Sequence, residues 1–178
     1  MKHSIDVVPE GWWALRDANA FFPEDLPKAW RLTYFANSFP AVMVPADAWL
    51  GRSASDLANW QADVHAGFRF YLDCPEMTGS QAVSHAIHCL GSALAGFVRT
   101  PRCAGVGDRL ASQMLTVRDV AGFEGEVLRG PRHLNADLRA ARVWLSALVG
   151  EPRLVILDRP TAPELSAWWD LITLMGLT

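Results

Sequence analysis

The segment FRFYLDCPEMTGSQAVSHAIHCLGSALAGFV, residues 68–98, decides the fold class. It opens with a β-like run over residues 68–73 and closes with another over residues 94–98. Between them, apolar residues recur at helical spacing and predict a helix over about residues 81–94. A strand, a helix and a second strand in succession are typical of neighbouring parallel strands in an α/β protein.

The same alternation extends in both directions along the chain. Further β-like runs stand at residues 5–8, 41–44, 114–117, 126–128 and 154–158, and further helical patterns at residues 54–65, 135–150 and 161–176. The candidate N-caps of these three helices are Ser53, Asn135 and Thr161, the last in a capping box with Glu164. Glycines between the two short runs of residues 115–130 favour a hairpin there. We therefore expect a single α/β domain over residues 1–178, with a mixed, largely parallel sheet and flanking helices.

Composition excludes several functional classes. The 178 residues are 51% hydrophobic and carry a net charge of −3, which suits one filled core but offers no basic field for nucleic acid. No stretch reaches the roughly 18 apolar residues that cross a bilayer, and the amino terminus lacks the features of a signal peptide. We expect a cytoplasmic protein without a membrane or nucleic-acid partner.

A family resemblance runs from Gly11 to Pro101. The segment FFPEDLPKAWRLTYFANSFPAVMV, residues 21–44, resembles the Phe-Tyr-Pro-Glu, Leu-Pro, Trp-Leu and Tyr-Tyr-Ala pattern of the YecE-like proteins of unknown function. GFRFYLDCPE, residues 67–76, looks like the third strand of that family, and Leu90 to Leu94 fit the approach to its fourth. The resemblance implies a TIM-barrel-like array of strands and helices, which a chain of this length forms only in incomplete or degenerate form.

This chain departs from the family pattern at polar strand positions. Where the family's second strand typically reads Val-Glu-Ile before Asn and Ser, the chain has Val42 to Ala46 without a polar residue. Where the third strand typically bears a Lys, Asp73 stands, which reverses the charge. We therefore expect a non-catalytic or degenerate member of the family that acts by binding or self-assembly.

The alternative is an enzyme that acts on a small anionic substrate. Ligands of parallel sheets lie at the carboxyl ends of the strands, where Asp73 and Asp158 are candidate acid/base groups. Arg99, Arg159 and Glu76 are candidate ligand-binding residues at the same ends. The competing interpretation is a salt-bridged rim that holds no ligand.

The sequence predicts no nucleotide cofactor. ALVGEPRLVILDRPT, residues 147–161, resembles the Walker B region of ABC-type ATPases, with Asp158 at the magnesium-binding position. Arg159 replaces the catalytic Glu of that pattern, and neither Lys2 nor Lys28 lies in a glycine-rich phosphate-binding loop. Asp158 is then a strand-end residue with local contacts.

No metal site is expected either. His85, His88 and Cys89 lie close together on one predicted helix, but a further ligand is not evident. The two histidines fall opposite the apolar stripe, which indicates a solvated face.

The last predicted helix carries an unusually wide apolar arc. Trp168, Trp169 and Ile172 are its largest members. Such an arc indicates either a deeply buried helix or a subunit interface. From this helix we expect a homo-oligomer.

Overall fold

The computed structural model describes residues 5–75, 78–98, 112–116, 125–148 and 152–178. The strands are β1 (Asp6–Pro9), β2 (Ala41–Val44), β3 (Arg69–Asp73), β4 (Leu94–Val98), β5 (Ser112–Thr116), β6 (Gly125–Gly130) and β7 (Pro152–Leu157). The helices are α1 (Ala18–Phe21), α2 (Arg31–Ser38), α3 (Ala46–Trp49), α4 (Ala54–Ala62), α5 (Ser80–Leu90), α6 (Leu138–Ser146) and α7 (Ala162–Leu174). The predicted α/β class is confirmed.

The sheet is mixed and mostly parallel. Its strand order is β1-β7-β6-β5-β4-β3-β2. Strand β5 runs antiparallel to both β4 and β6, and the other neighbouring pairs in this order are parallel. The antiparallel β5–β6 pair confirms the predicted hairpin, and β5 is the reversed member of an otherwise parallel set of described strands.

The two outer strands of this order, β1 and β2, also meet. Glu10 forms a parallel bridge with Met43, and the Gly11 N–H donates to the Met43 carbonyl at 2.7 Å. This contact joins the edges of the sheet, so the seven strands form a closed ring. An ordinary (β/α)8 barrel has eight parallel strands, and the strands described here form a smaller ring with one reversed member.

Residues alternate between the inside and the outside of the ring. The inner cluster consists of Val8, Ala41, Met43, Tyr71, Val98, Val127, Leu154 and Ile156. The intervening residues, such as Val7, Val42 and Leu72, belong to a larger cluster that packs under the helices. Because both sides of each strand are covered, the strands are apolar on both faces, as is usual for parallel sheets.

A polar network lies inside the ring at the end where the parallel strands begin. Asp6 is 5% exposed and accepts hydrogen bonds from Arg69 Nε at 2.6 Å and Nη2 at 2.7 Å. The Tyr71 hydroxyl donates to the same carboxylate at 2.6 Å. Burial by itself lowers the pKa of Arg69, but the hydrogen bond and charge of Asp6 outweigh it, so the pKa is raised.

Two of the predicted helix starts are confirmed and one is wrong. Ser53 caps α4, and Thr161 forms a capping box with Glu164 at the start of α7. Asn135 was expected to cap α6, but the Asp137 side chain accepts from the Ala140 N–H and performs this role. Two potential capping residues stand close together here, and the helix begins after the second.

The apolar arc of α7 packs largely against the chain itself. Trp168 and Ile172 are fully buried and Trp169 is half-buried, whereas Leu174 is 86% exposed. The Ile5 N–H donates to the Leu177 carbonyl at 2.6 Å, which holds the end of this segment beside β1. The side chains of Trp168 and Ile172 are thus committed to the core, and self-association stays a prediction.

Within the described ranges, no helix is long and apolar enough to cross a membrane.

Replacement of Asp6 by Ala is expected to destabilise the ring strongly. The change removes the acceptor of three hydrogen bonds and leaves the Arg69 guanidinium without its partner, which costs roughly 3 kcal/mol of unfolding free energy. Urea unfolding measures the loss, with Asp25→Ala on the exposed surface as the matched control. Equal stability of the two variants would contradict a structural role for the network.

Tyr71 is expected to make stability fall at alkaline pH. Burial, followed by the charge of Asp6, raises its pKa well above 10.0 in the folded chain. The unfolded chain then releases this proton at lower pH than the folded chain, so the stabilising contribution is lost as the pH rises above about 10. Urea unfolding from neutral pH to about pH 11 should show a shallower decline for Tyr71→Phe than for the unaltered protein.

Candidate functional site

The alternation along the strands brings four charged side chains to one end of the ring. Glu10 follows β1, Asp73 ends β3, Arg129 lies near the end of β6, and Asp158 follows β7. Each stands two residues after a member of the inner cluster and therefore has the inward parity of its strand. We call this group of four, where the parallel strands end, the carboxyl mouth.

Arg129 and Glu10 form the central contact of the mouth. An Arg129 Nη2–Glu10 Oε1 ion pair joins side chains from strands that are not neighbours, because β7 lies between them. The Arg129 side chain is 37% exposed and that of Glu10 31%. The strands hold the two side chains in place, and both side chains are accessible to a dissolved ligand.

The four side chains of the mouth carry more negative than positive charge. Burial lowers the pKa of Arg129, but the hydrogen bond and charge of Glu10, followed by the charges of Asp73 and Asp158, raise it overall. The three carboxylates therefore lie close enough to act together on one guanidinium. A positively charged group is favoured at this position.

Glycine after β1 brings Glu10 into place. Gly11 has φ +94°, a conformation that residues with a Cβ rarely adopt, and a Cβ there would lie 2.7 Å from the Trp13 ring. The same residue donates the hydrogen bond to Met43 that closes the ring. The sharp turn after Glu10 and the closure thus depend on one glycine.

The turn after β7 is held by a buried amide. Asn135 is 2% exposed, and its Nδ2 donates to the Asp158 carbonyl at 3.0 Å. The next residue, Arg159, is exposed and has φ +43°, which is strained for a residue with a side chain. Asn135 therefore fixes the backbone that carries Asp158.

The structure brings together some of the predicted site residues. Asp73 and Asp158 both lie around Arg129, and Arg159 lies beside Asp158 on the exposed side of the turn. Glu76 and Arg99 lie outside the described residues.

Three residues were missed from the sequence. They are Glu10 and Arg129 of the mouth, and Asn135, which holds the Asp158 backbone. The two charged residues could have been found from the alternation of side chains along a strand. Glu10 stands two positions after the inward-facing Val8, and Arg129 stands two positions after the inward-facing Val127. Asn135 had been assigned to a helix start and gave no sign of a long-range contact.

The side chains of the mouth offer hydrogen-bond and proton-transfer chemistry. Among the residues that the structure describes, no group of three or more His, Cys, Asp or Glu could hold a metal ion. Arg129 lies among the carboxylates and occupies the place of a shared counter-ion. Carboxylates can accept hydrogen bonds from ammonium, guanidinium or hydroxyl groups, and a carboxyl can also exchange a proton.

A closed ring of strands with outer helices and charged side chains at the carboxyl ends defines a barrel-like α/β protein with its candidate site at the usual end. A family model described as "Protein of unknown function DUF72" matches residues 10–141. The chain belongs to this family, which includes the YecE-like proteins, and the resemblance found in the sequence is confirmed. No curated protein and no solved structure gives a significant match.

Replacement of Arg129 by Leu is expected to destabilise the protein in a salt-dependent manner. Without the guanidinium, three carboxylates repel one another, and the unfolding free energy should fall by about 1 kcal/mol at low ionic strength. Salt screens this repulsion, so the loss should shrink in about 1 M sodium chloride. Urea unfolding at both salt concentrations measures it, with Arg159→Leu as the control, and an equal loss at both would indicate packing alone.

Proposed function

We propose that the protein binds a small, positively charged organic molecule at the carboxyl mouth. The observation that carries this proposal is the placement of one guanidinium, paired with Glu10, among the carboxylates of Asp73 and Asp158 at one end of the ring. A site that favours the protonated guanidinium in spite of partial burial also favours an ammonium or guanidinium group of a ligand.

Access supports the same proposal. The charged atoms of Glu10 and Arg129 are partly exposed, so an incoming cation can form hydrogen bonds without unfolding the ring. Apolar side chains of the inner cluster, such as Met43 and Val98, lie below them and exclude water from the floor of the site. Charge-assisted hydrogen bonds are stronger where water is excluded.

The second arginine does not convert the mouth into an anion site. Arg159 is exposed on the strained turn, and Arg129 is already bound to Glu10. The described residues thus favour a cation over the small anionic substrate considered from the sequence. An anion would have to approach against the charges of Asp73 and Asp158.

Self-assembly through the last helix is the weaker of the two proposals. It rested on Trp168, Trp169 and Ile172, of which the first and last are enclosed by the chain itself. Their apolar character is explained by the core, so ligand binding is the stronger proposal for this member of the family.

Catalysis at the same residues is a separate proposal. Asp73 and Asp158 come from different strands and act on the same guanidinium, and acid and base groups on different strand ends are typical of barrel enzymes. Turnover of a bound compound, lost in Asp73→Asn and in Asp158→Asn, would distinguish an enzyme from a binding protein.

Thermal unfolding with charged probes tests the binding proposal. Putrescine, agmatine and choline should raise the melting temperature, since a ligand at about 100 times its Kd contributes about 2.7 kcal/mol of stability. Citrate and pyrophosphate at the same ionic strength should not. Asp73→Asn and Asp158→Asn should each weaken binding about tenfold, whereas the exposed control Asp25→Asn should leave it unchanged.

Other outcomes separate the alternatives. Stabilisation by the anions, unaffected by sodium chloride, would overturn the cation proposal in favour of an anionic substrate. No stabilisation by any probe, together with a dimer in light scattering, would overturn it in favour of self-assembly.

A further inference from the structure

A second candidate site lies outside the ring, between the segment after α3 and the start of α5. It is a pocket of about 230 Å³. Its lining consists of Trp49, Gly51, Arg52, Leu57, Gln81, Ala82 and His85. None of these residues belongs to the carboxyl mouth, and none was assigned a role above.

The pocket combines an apolar wall with a few polar groups. Trp49 and Leu57 are both 2% exposed and belong to the main core, so their faces are rigid. Arg52, Gln81 and His85 supply polar atoms. Small-molecule sites in proteins have this composition, with apolar walls and a few polar groups that set the orientation of the ligand.

His85 is the unusual member of the lining. Its Nε2 is buried and has no hydrogen-bond partner within the described part of the chain. The sequence placed His85 and His88 together on a solvated face, and that is correct only for His88, which is exposed. A buried imidazole nitrogen without a partner is costly in a folded protein and calls for an explanation.

Positive charge dominates the lining. Arg52 Nε donates to the Ala48 carbonyl, and its guanidinium lies 5.8 Å from the centre of the Trp60 ring. Asp56 lies on the same segment and accepts hydrogen bonds from Ser53, and its pKa is lowered chiefly by those bonds and less by the charge of Arg52. The carboxylate is thus engaged chiefly in capping α4, and the Arg52 side chain is exposed and accessible to a ligand.

The start of α5 adds to this field. Gln81 and Ala82 lie in its first turn, and Gly79 at the cap position provides no side-chain hydrogen bond. Backbone N–H groups at the start of a helix of eleven residues favour an anion. The pocket thus combines a guanidinium, an imidazole and a helix start with an indole and a leucine.

We infer that this pocket binds a small carboxylate-bearing molecule with a flat apolar portion. The carboxylate lies by Arg52 and the start of α5, with His85 as a further hydrogen-bond donor, and the apolar portion packs on Trp49 and Leu57. The volume limits the ligand to about the size of an aromatic acid. The site is opposite in charge preference to the carboxyl mouth and is lined by different residues.

Proton NMR of the histidines tests the inference with benzoate as the probe. The chain has five histidines, so the imidazole resonances are few, and His85→Gln identifies the one from His85. Benzoate should shift this resonance saturably, with a Kd of about 1 mM. Acetate, which lacks the apolar portion, should bind about tenfold more weakly, and benzyl alcohol, which lacks the charge, should not shift it.

The arginine is tested by a matched pair of surface variants. Arg52→Gln should weaken benzoate binding at least about tenfold, whereas Arg139→Gln on the exposed side of α6 should leave it unchanged. Both changes lie at exposed positions, so both variants are expected to fold even if His85→Gln does not.

Three results would overturn the inference. They are a His85 resonance that does not move with benzoate, an equal loss of affinity in both arginine variants, and an equal response to tetramethylammonium. Asp158→Asn separates this site from the proposed function, because it should weaken cation binding at the mouth about tenfold and leave the benzoate response intact.

Discussion

Closure of the strand ring is the constraint on which the rest of the structure depends. A single bridge between Glu10 and Met43, with one hydrogen bond from Gly11, joins the edges of a sheet that the chain order alone would leave open. Closure gives every strand an inner and an outer face. It removes the exposed edges that would otherwise pair with other chains.

Closure also separates polar groups along the ring. The inner residues at mid-height are apolar, and charged side chains are confined to the two ends. At one end Asp6 is satisfied by Arg69 and Tyr71 and stabilises the fold. At the other, the hydrogen bond and charge of Glu10, followed by the charges of Asp73 and Asp158, raise the pKa of Arg129, and the Arg129–Glu10 pair is partly exposed. The first cluster is therefore buried and structural, whereas the second is accessible to solvent, as the proposed binding of a ligand requires.

Much of the fold was predictable from the sequence because it follows from local patterns. The bounds of β2 and β4 match the β-like runs, and the capping boxes of α4 and α7 follow from Ser53 and Thr161. The closing contact was not predictable, because it depends on the conformation of Gly11 and on a strand pairing distant in sequence. The number of strands in a ring is likewise a property of the assembled sheet.

The site was predictable only in part for a similar reason. Asp73 and Asp158 stand directly at strand ends, and their positions alone marked them. Glu10 and Arg129 became recognisable once the inward parity of their strands was known. The reversal of charge at Asp73 relative to the family pattern was visible in the sequence. The Arg129 guanidinium on which Asp73 acts was not. Helical periodicity placed His85 on the solvated face because it takes account of one helix alone. In the folded chain the segment after α3 packs near that side of α5.

Trp49 lines the outer pocket and also contacts the backbone at the carboxyl mouth. Its indole Nε1–H donates to the Asp73 carbonyl at 2.7 Å, at the end of β3, while the same side chain forms a wall of the outer pocket. A displacement of the indole by an occupant of the pocket would act directly on the backbone that carries Asp73. Thermodynamic linkage then makes the effect reciprocal, so that each occupant would alter the affinity for the other by the same factor. One tryptophan thus provides a physical route for communication between the inside and the outside of the ring.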